Sequence, residues 1–382
     1  MREKIFFVIL CLILIYILPG CQDAKELNEL AITLAMGLDL EDGKILLTAE
    51  VVHFQESGGQ DAGFGQANSV KYIQGVGNNI FEAFRDITLK FDYRIFASHN
   101  RILIIGEEFA KNGLIEHIDE LFRDREQRET AYLLIAKNAK AYEVMGINAG
   151  LEKIPANYIA ETVENVKENP KIKKVSMLRY LENYYHRGLQ PTVGIIQKIN
   201  KNKIDKTKGE DEAEDYELSL IGSAVFNKDI LIGYLDGNET KGLNFVTDNI
   251  ENGIITFPIP TSGAEQQKKP KTTHEILSSV VIIKNKTKND IEIENGNVTL
   301  RTKVKLRGSV GEIGENIDIS KQETLKEVEE ACSKVVEKGI RDVVVKMQKE
   351  FKLDIFGYGA LFHRKYPQEW KRIEKDWDQV FS

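Results

Sequence analysis

A single apolar run decides what the rest of this chain can be. Ile5 to Leu18 carries no charge, follows Arg2 and Lys4, and is 14 residues long. A membrane-crossing helix needs about 20 apolar residues, so the run is too short to span comfortably. A basic start and a short apolar core fit a secretory signal peptide. The run ends in Leu18-Pro19-Gly20-Cys21. Leu at −3, a small Gly at −1 and Cys at +1 make a bacterial lipobox. The Cys21 thiol is the nucleophile that takes a diacylglyceryl group, and a small residue beside it admits the peptidase. The plainer alternative is a signal peptide, or an uncleaved anchor, with an incidental cysteine. On the lipobox reading residues 1–20 are a leader and the mature chain begins at Cys21. Two acyl chains then tether it to the outer face of a membrane, because one chain alone binds only marginally.

The remaining chain must fold as a water-exposed body. Of 382 residues, 42% are hydrophobic and 29% charged, an ordinary globular composition that excludes a polytopic membrane protein and a largely disordered chain. That length predicts two or three domains. The formal charge of −7 argues against a nucleic-acid binder, which needs a basic footprint. Loss of the leader makes the body one unit more negative, so it should stand off an anionic bilayer. With Cys11 removed and Cys21 acylated, only Cys332 remains. That leaves no intramolecular disulfide and no Cys/His zinc cluster.

Patterning divides the body. Ala31–Leu38 and Ile45–Phe54 flank Glu41-Asp42-Gly43-Lys44, a β-hairpin with an Asp-Gly turn. Gln55 to Asn68, with four glycines, reads as a loop. Helices are predicted over Asn78–Lys90, Glu107–Asp124, Leu151–Lys167 and Ser176–His186, and strands over Arg101–Ile105 and Ala131–Ala136. Lys198 to Asp215 is almost wholly polar and reads as a linker. Strands follow at Leu218–Phe226, Ile230–Leu235 and Ile254–Ile259, then a second linker over Thr261–Thr273. Ser278–Lys284, Ile291–Glu294 and Val298–Val310 are β-prone, and Asn295-Gly296 joins the last two as a hairpin turn. Arg301, Lys303, Lys305 and Arg307 alternate with Thr302, Val304 and Leu306, giving one wet basic face and one buried face. Ser320-Lys321-Gln322-Glu323 is a capping box ahead of a long helix striped by Leu325, Val328, Cys332, Val335, Val343 and Met347. Unbroken to Lys352, that helix would span about 50 Å, with Gly339 a possible bend.

No catalytic motif stands in the sequence. No two of the six histidines stand at metal-ligand spacing on one helix. His274-Glu275 begins like a zincin motif, but position 278 is Ser. Gly308-Ser309-Val310-Gly311 lacks the first Gly of a nucleophile elbow. Neither a phosphate loop nor a dinucleotide fingerprint occurs. The sequence predicts no catalytic residue, no metal site and no cofactor. Arg123, Asp124 and Arg128 are candidate partner contacts, although such a run more often forms a solvated helix end. Cys332 lies on the apolar stripe and reads as core. Trp370, Trp377, Ile373 and Phe381 follow Pro367 at helical spacing and read as core too.

Several stretches in order resemble one known family. They are Ala83-Phe84-Arg85-Asp86, then Ser98-His99-Asn100-Arg101 through Ile105-Gly106-Glu107-Glu108-Phe109, then Arg123-Asp124-x-Glu126-x-Arg128. Gly222-Ser223-Ala224-Val225-Phe226 with Gly233-Tyr234-Leu235, and Asp354-Ile355-Phe356-Gly357-Tyr358-Gly359 with Pro367, Trp370 and Trp377, complete the set. Together they resemble the Ger(x)C family, the C subunits of bacterial spore germinant receptors. After the lipobox, Cys21-Gln22-Asp23 and Glu26-Leu27 follow the family pattern, with Gln22 where Trp is usual. The resemblance implies a lipoprotein on the outer face of the spore inner membrane. It implies assembly with two integral membrane subunits, A-type and B-type, in a nutrient-responsive complex, and a fold of three α+β domains. It supplies no catalytic residues.

The expectation is therefore an α+β chain of three consecutive mixed domains with antiparallel sheets and a long helix in the C-terminal domain. Residues 21–197 form an N-terminal α/β domain, 198–215 a linker, 216–260 a small β-rich middle domain, 261–273 a linker and 274–382 a C-terminal α+β domain. Its function is that of a non-enzymatic receptor subunit with protein and lipid partners and no nucleic acid. A lipid-anchored solute-binding protein of a transporter is the alternative. That would need two similar doubly wound lobes around a hinge.

Overall fold

The computed structural model describes residues 4–6, 30–53, 69–123, 127–147, 152–200, 216–258, 277–294, 297–313 and 318–382. Cys21, Asp124, the stretch 54–68, residues 201–215 and 261–273 of the expected linkers, and Asn295-Gly296 lie outside them.

Strands β1 (Leu30–Glu41) and β2 (Lys44–His53) form the expected hairpin, paired from Glu41–Lys44 inward. Asp42 and Gly43 have φ of 50° and 74°, the left-handed pair that a two-residue hairpin turn demands. β3 (Ser69–Gly77) continues antiparallel beside β2. Helix α1 (Ile80–Ile87) and the short β4 (Arg94–Phe96) lead to β5 (Ile102–Gly106). On the far side of β1 the sheet turns parallel, through β5, β6 (Tyr132–Ala136) and β7 (Thr192–Asn200). Parallel neighbours need crossovers, and helices supply them. α2 (Glu107–Lys111) and α3 (Ile115–Arg123) precede β6; α4 (Ala141–Met145), α5 (Pro155–Asn165) and α6 (Met177–Tyr185) precede β7. Helices cover both faces, so all five residues of β5 are buried, which is why Ile102–Ile105 is one unbroken apolar run.

Two expectations in this half change. The helix predicted over Glu107–Asp124 is two, because Gly113 sits at φ +105° between α2 and α3. Asp229, from a distant turn, accepts from the amide of Ile115 at 3.3 Å and caps the second helix. Polar Gln197, Lys198 and Asn200 hid β7, a strand at the heart of the sheet.

The expected middle domain does not form a sheet of its own. β8 (Tyr216–Ser219), β9 (Ser223–Asn227) and β10 (Ile230–Leu235) extend the first sheet to ten strands in the order β10-β9-β7-β6-β5-β1-β2-β3, with β4 beside β1 and β8 beside β7. After α7 (Gly237–Val246), β11 (Ile254–Pro258) joins a second sheet, β11-β12-β13. The physical reason is size. So short a stretch cannot bury a core alone; Val225 and Leu235 instead join one shared with Val343, Phe362, Trp370, Trp377 and Phe381.

The two β segments expected at 278–284 and 291–294 are one strand, β12 (Leu277–Glu294), paired antiparallel with β13 (Asn297–Val310). The intervening Asn-Lys-Thr-Lys-Asn-Asp disguised it. Long helix α8 (Gln322–Lys346) packs across this sheet. Its predicted capping box is absent: Lys321 is the N-cap, and the Ser320 hydroxyl donates to Asp318 at 2.6 Å. Its last turn, Met347–Phe351, widens to a π-helix and stops at Lys352 in the left-handed region. Gly339 is not a bend but a crossing point, since a Cβ on Gly242 of α7 would lie 2.5 Å from its carbonyl oxygen. α9 (Tyr358–Lys365), α10 (Pro367–Ile373) and α11 (Trp377–Phe381) close the chain. The α+β class and the long C-terminal helix stand; the parallel centre of the first sheet is an addition to them.

Candidate functional site

The residues singled out from sequence do not converge on one place. Arg123 ends α3, is 78% exposed and pairs with Asp119 at 2.8 Å one turn back. Arg128 is exposed and donates to the Thr130 hydroxyl at 3.0 Å. Cys332 is buried on the inner face of α8, and burial pushes its thiol up. Among the described residues no group of three His, Cys, Asp or Glu could hold a metal ion.

The carboxyl ends of parallel strands are where α/β sheets usually bind ligands. Here Asp39, Glu107, Glu108 and Glu143 line a cleft of ≈ 270 Å³, but structural tasks occupy most of these acids. Asp39 accepts from the Ala141 and Tyr142 amides at 2.7 and 3.3 Å and caps α4. Gly106 must lack a side chain for this, because its Cβ would fall 2.0 Å from an Asp39 oxygen. Glu143 accepts from the Lys140 amide at 2.7 Å, and Glu107 pairs with Lys111 at 2.9 Å. Burial pushes Asp39 up to about 6.

Glu50 is a second buried carboxylate spent on a cap. It accepts from the Ala156 amide in the first turn of α5 at 2.9 Å and from the Tyr72 hydroxyl at 2.9 Å. Desolvation raises it from 4.5 to about 7 against those two donors. Between these values the folded chain holds a proton that the unfolded chain releases. The contribution of Glu50 is therefore full below pH 4.5 and is lost as pH rises to about 7. We expect the native protein to lose up to about 3 kcal/mol across that window from this group. Glu50→Gln should remove that share, as measured by urea unfolding at both ends. Equal pH slopes in the two proteins would refute the assignment.

The tail motif is a clasp between the two halves. One Asp354 oxygen accepts from the amides of Phe356 and Gly357, both at 2.9 Å. The other accepts from Gly359 at 2.7 Å and from the Trp377 indole at 3.1 Å. The Asp354 carbonyl takes the Gln190 amide at 2.8 Å, and Gly188 takes the Ala360 amide at 3.2 Å. Gly359 must be glycine, because a Cβ there would lie 2.7 Å from the Gly188 Cα and 2.5 Å from the Trp377 indole nitrogen. Trp370 and Trp377 are buried, as their spacing suggested.

Two surfaces remain open. Between α8 and the inner face of β13 runs an apolar trench of ≈ 780 Å³, lined by Val304, Leu306, Leu325, Val336 and Ile340. It continues past Thr302 and Glu337 into a second hollow of ≈ 480 Å³. The outer face of the same hairpin is strongly basic. The register puts Lys284 opposite Arg307, Lys286 opposite Lys305 and Lys288 opposite Lys303, and all six are exposed. Among the described residues no ion pair engages any of them. The acids at the far end of this face are taken, Asp290 by Lys365 at 2.7 Å and Glu292 by Arg301 at 3.1 Å. Like charges directly opposite on a sheet are destabilising, and here three such pairs are consecutive. Sequence reasoning saw the β13 cations and missed those of β12. The signal was present: Glu294 pairs with Asn297, and counting outward from that pair brings each lysine to its partner.

Comparison with known proteins places the whole chain. Residues 23–198 match the family described as spore germination protein N-terminal domain. Residues 221–382 match the family described as spore germination B3/GerAC like, C-terminal. Spore germination protein KC of Bacillus subtilis (strain 168) is 28% identical over 389 residues, covering 100% of this chain and 92% of that one. Spore germination protein B3 of the same strain is 26% identical over 381 residues, covering 99% and 92%. The crystal structure of the GerBC protein superposes with a TM-score of 0.50 at 19% identity, covering 91% of this chain and 92% of that one, a likeness of fold.

Proposed function

Because the chain belongs to the GerAC-like family of spore germination proteins, we propose that it is the lipid-anchored, non-enzymatic subunit of a spore germinant receptor. It assembles with integral membrane subunits, A-type and B-type, on the outer face of the spore inner membrane and helps to trigger germination in response to nutrients. The observation that carries this reading is the end-to-end match to germination proteins, 100% of this chain against protein KC. The fold supports it over a two-lobed solute binder. Among the described residues its two sheets are unlike, one of ten strands with a parallel centre and one of three antiparallel strands, and the clasp of Asp354 and Gly188 ties the halves together instead of leaving a hinge. The acids at the sheet's carboxyl end act mainly as caps and ion-pair partners.

Recovery of the receptor complex tests the reading. A tagged chain expressed in its sporulating host should co-purify with integral membrane subunits, and spores lacking it should fail to germinate on the receptor's nutrient. A chain recovered alone from spores that germinate normally would overturn it. Arg123, Asp124 and Arg128 are our proposed contacts with one of those subunits. Arg123→Glu with Arg128→Glu should leave the stability of the body within about 0.5 kcal/mol, as expected of exposed groups. The same double variant should lower complex recovery. Normal recovery would remove this corner from the interface.

A further inference from the structure

The basic outer face of β12 and β13 has no counterpart in the receptor reading. It is concentrated, with six exposed cations in three facing rows and no ion pair to any of them among the described residues. It is also misplaced on a chain whose formal charge is −7. Uniformly spread, that charge would repel an anionic surface. Charges act separately, however, over distances beyond a Debye length of about 8 Å in physiological salt. A surface touching this face meets the lysines, while the acids elsewhere on the body are screened.

The same face turns apolar at its other end. A bulge between Ile282 and Lys284 pushes Ile283 outward, where it is 50% exposed. Ile254 on β11 is 56% exposed and Leu277 on β12 is 45% exposed. A patch of long cationic arms beside bare aliphatic side chains is the chemistry of a lipid interface. The ammonium and guanidinium groups reach phosphates while the apolar side chains enter the acyl boundary. An acidic polypeptide would use the charges and leave the isoleucines unexplained.

We propose that the outer face of the second sheet is a contact surface for an anionic phospholipid bilayer. The sheet lies against the headgroups with Lys286, Lys303 and Lys305 at the centre of the contact and Ile254 and Ile283 at its edge. This contact does not depend on the acyl anchor. It reverses the expectation that the acidic body stands off the membrane, because distribution and not net charge decides the orientation.

The test uses the chain from residue 22 onward, which lacks the leader and the acylation site. It is floated with vesicles of phosphatidylcholine alone or of phosphatidylcholine with phosphatidylglycerol. Binding is expected only with phosphatidylglycerol, and high salt should abolish it. Lys286→Gln, Lys303→Gln and Lys305→Gln together should weaken partition about 100-fold, at roughly one factor of five per basic residue. Because this variant relieves like-charge pairs, it should melt no lower than the native chain, so lost binding cannot be put down to misfolding. The control Lys326→Gln, Lys334→Gln and Lys371→Gln removes equal charge elsewhere and should bind as the native chain does. Ile283→Ser should weaken partition without changing the salt response. Absence of phosphatidylglycerol-dependent binding overturns the proposal, as does equal binding by the first triple variant. Binding to soluble polyglutamate but not to vesicles overturns it in favour of an acidic protein partner. None of these outcomes bears on co-purification with receptor subunits, so the two readings fail separately.

Discussion

Asp354→Ala is expected to destabilise the folded chain by about 3–5 kcal/mol, a large share of the 5–15 kcal/mol that holds typical domains together. The carboxylate is 1% exposed and receives three backbone amides and one indole N–H, at 2.7 to 3.1 Å. Removing it strands four donors in a packed core. Each orphaned donor costs about 1–3 kcal/mol, with the sum less than additive because the loop relaxes as a unit. Some relief comes from losing a buried charge: desolvation pushes Asp354 up to about 6, so its ionised form is already under strain at neutral pH. The chain has two tryptophans, both in this clasp, and their fluorescence reports it directly. Urea unfolding followed by tryptophan emission should show the loss together with a red-shifted native spectrum. Gly359→Ala attacks the same contact sterically, because its Cβ would press on the Gly188 backbone, and it should give the same spectral change. A loss below about 1 kcal/mol in both variants would mean that the motif is not what joins the halves.

Cys21→Ala is expected to move the protein from the membrane to the soluble fraction, or to leave it as unprocessed precursor, with no lipid label incorporated. Each acyl methylene buried in the bilayer contributes about 0.8 kcal/mol, so the loss of two chains outweighs any other single change. The basic sheet face adds a distinguishable remainder. Membrane association that survives Cys21→Ala should wash off in high salt, whereas the acylated protein should not. Native levels of membrane-bound, lipid-labelled protein in the mutant would refute the lipobox assignment.

What was legible in the sequence was local. The Asp42-Gly43 hairpin, the buried strand Ile102–Gly106, the long helix after Lys321 and the core positions of Trp370 and Trp377 follow from turn chemistry and hydrophobic period, which act over a few residues. The β13 cations were legible from their period of two, but the lysines of β12 that face them were not, because the polar stretch 285–290 hid the middle of that strand. The family motifs were legible as a resemblance, but most of the work they do was not. Gly106 makes room for Asp39, and the Asp354 loop grips Gly188; these are contacts between residues far apart in the chain.

The tertiary structure alone decided the rest. Glu50 reads as one polar residue in an apolar strand until α5, 106 positions later, brings the Ala156 amide to it. Nothing in the composition of 216–260 says that its first strands complete one sheet and its last begins another. A strand's pattern records which of its faces is buried, not which neighbour it pairs with. The pairing is chosen by whichever sheet edge lets an otherwise too-small stretch bury its apolar side, and that choice depends on the whole chain.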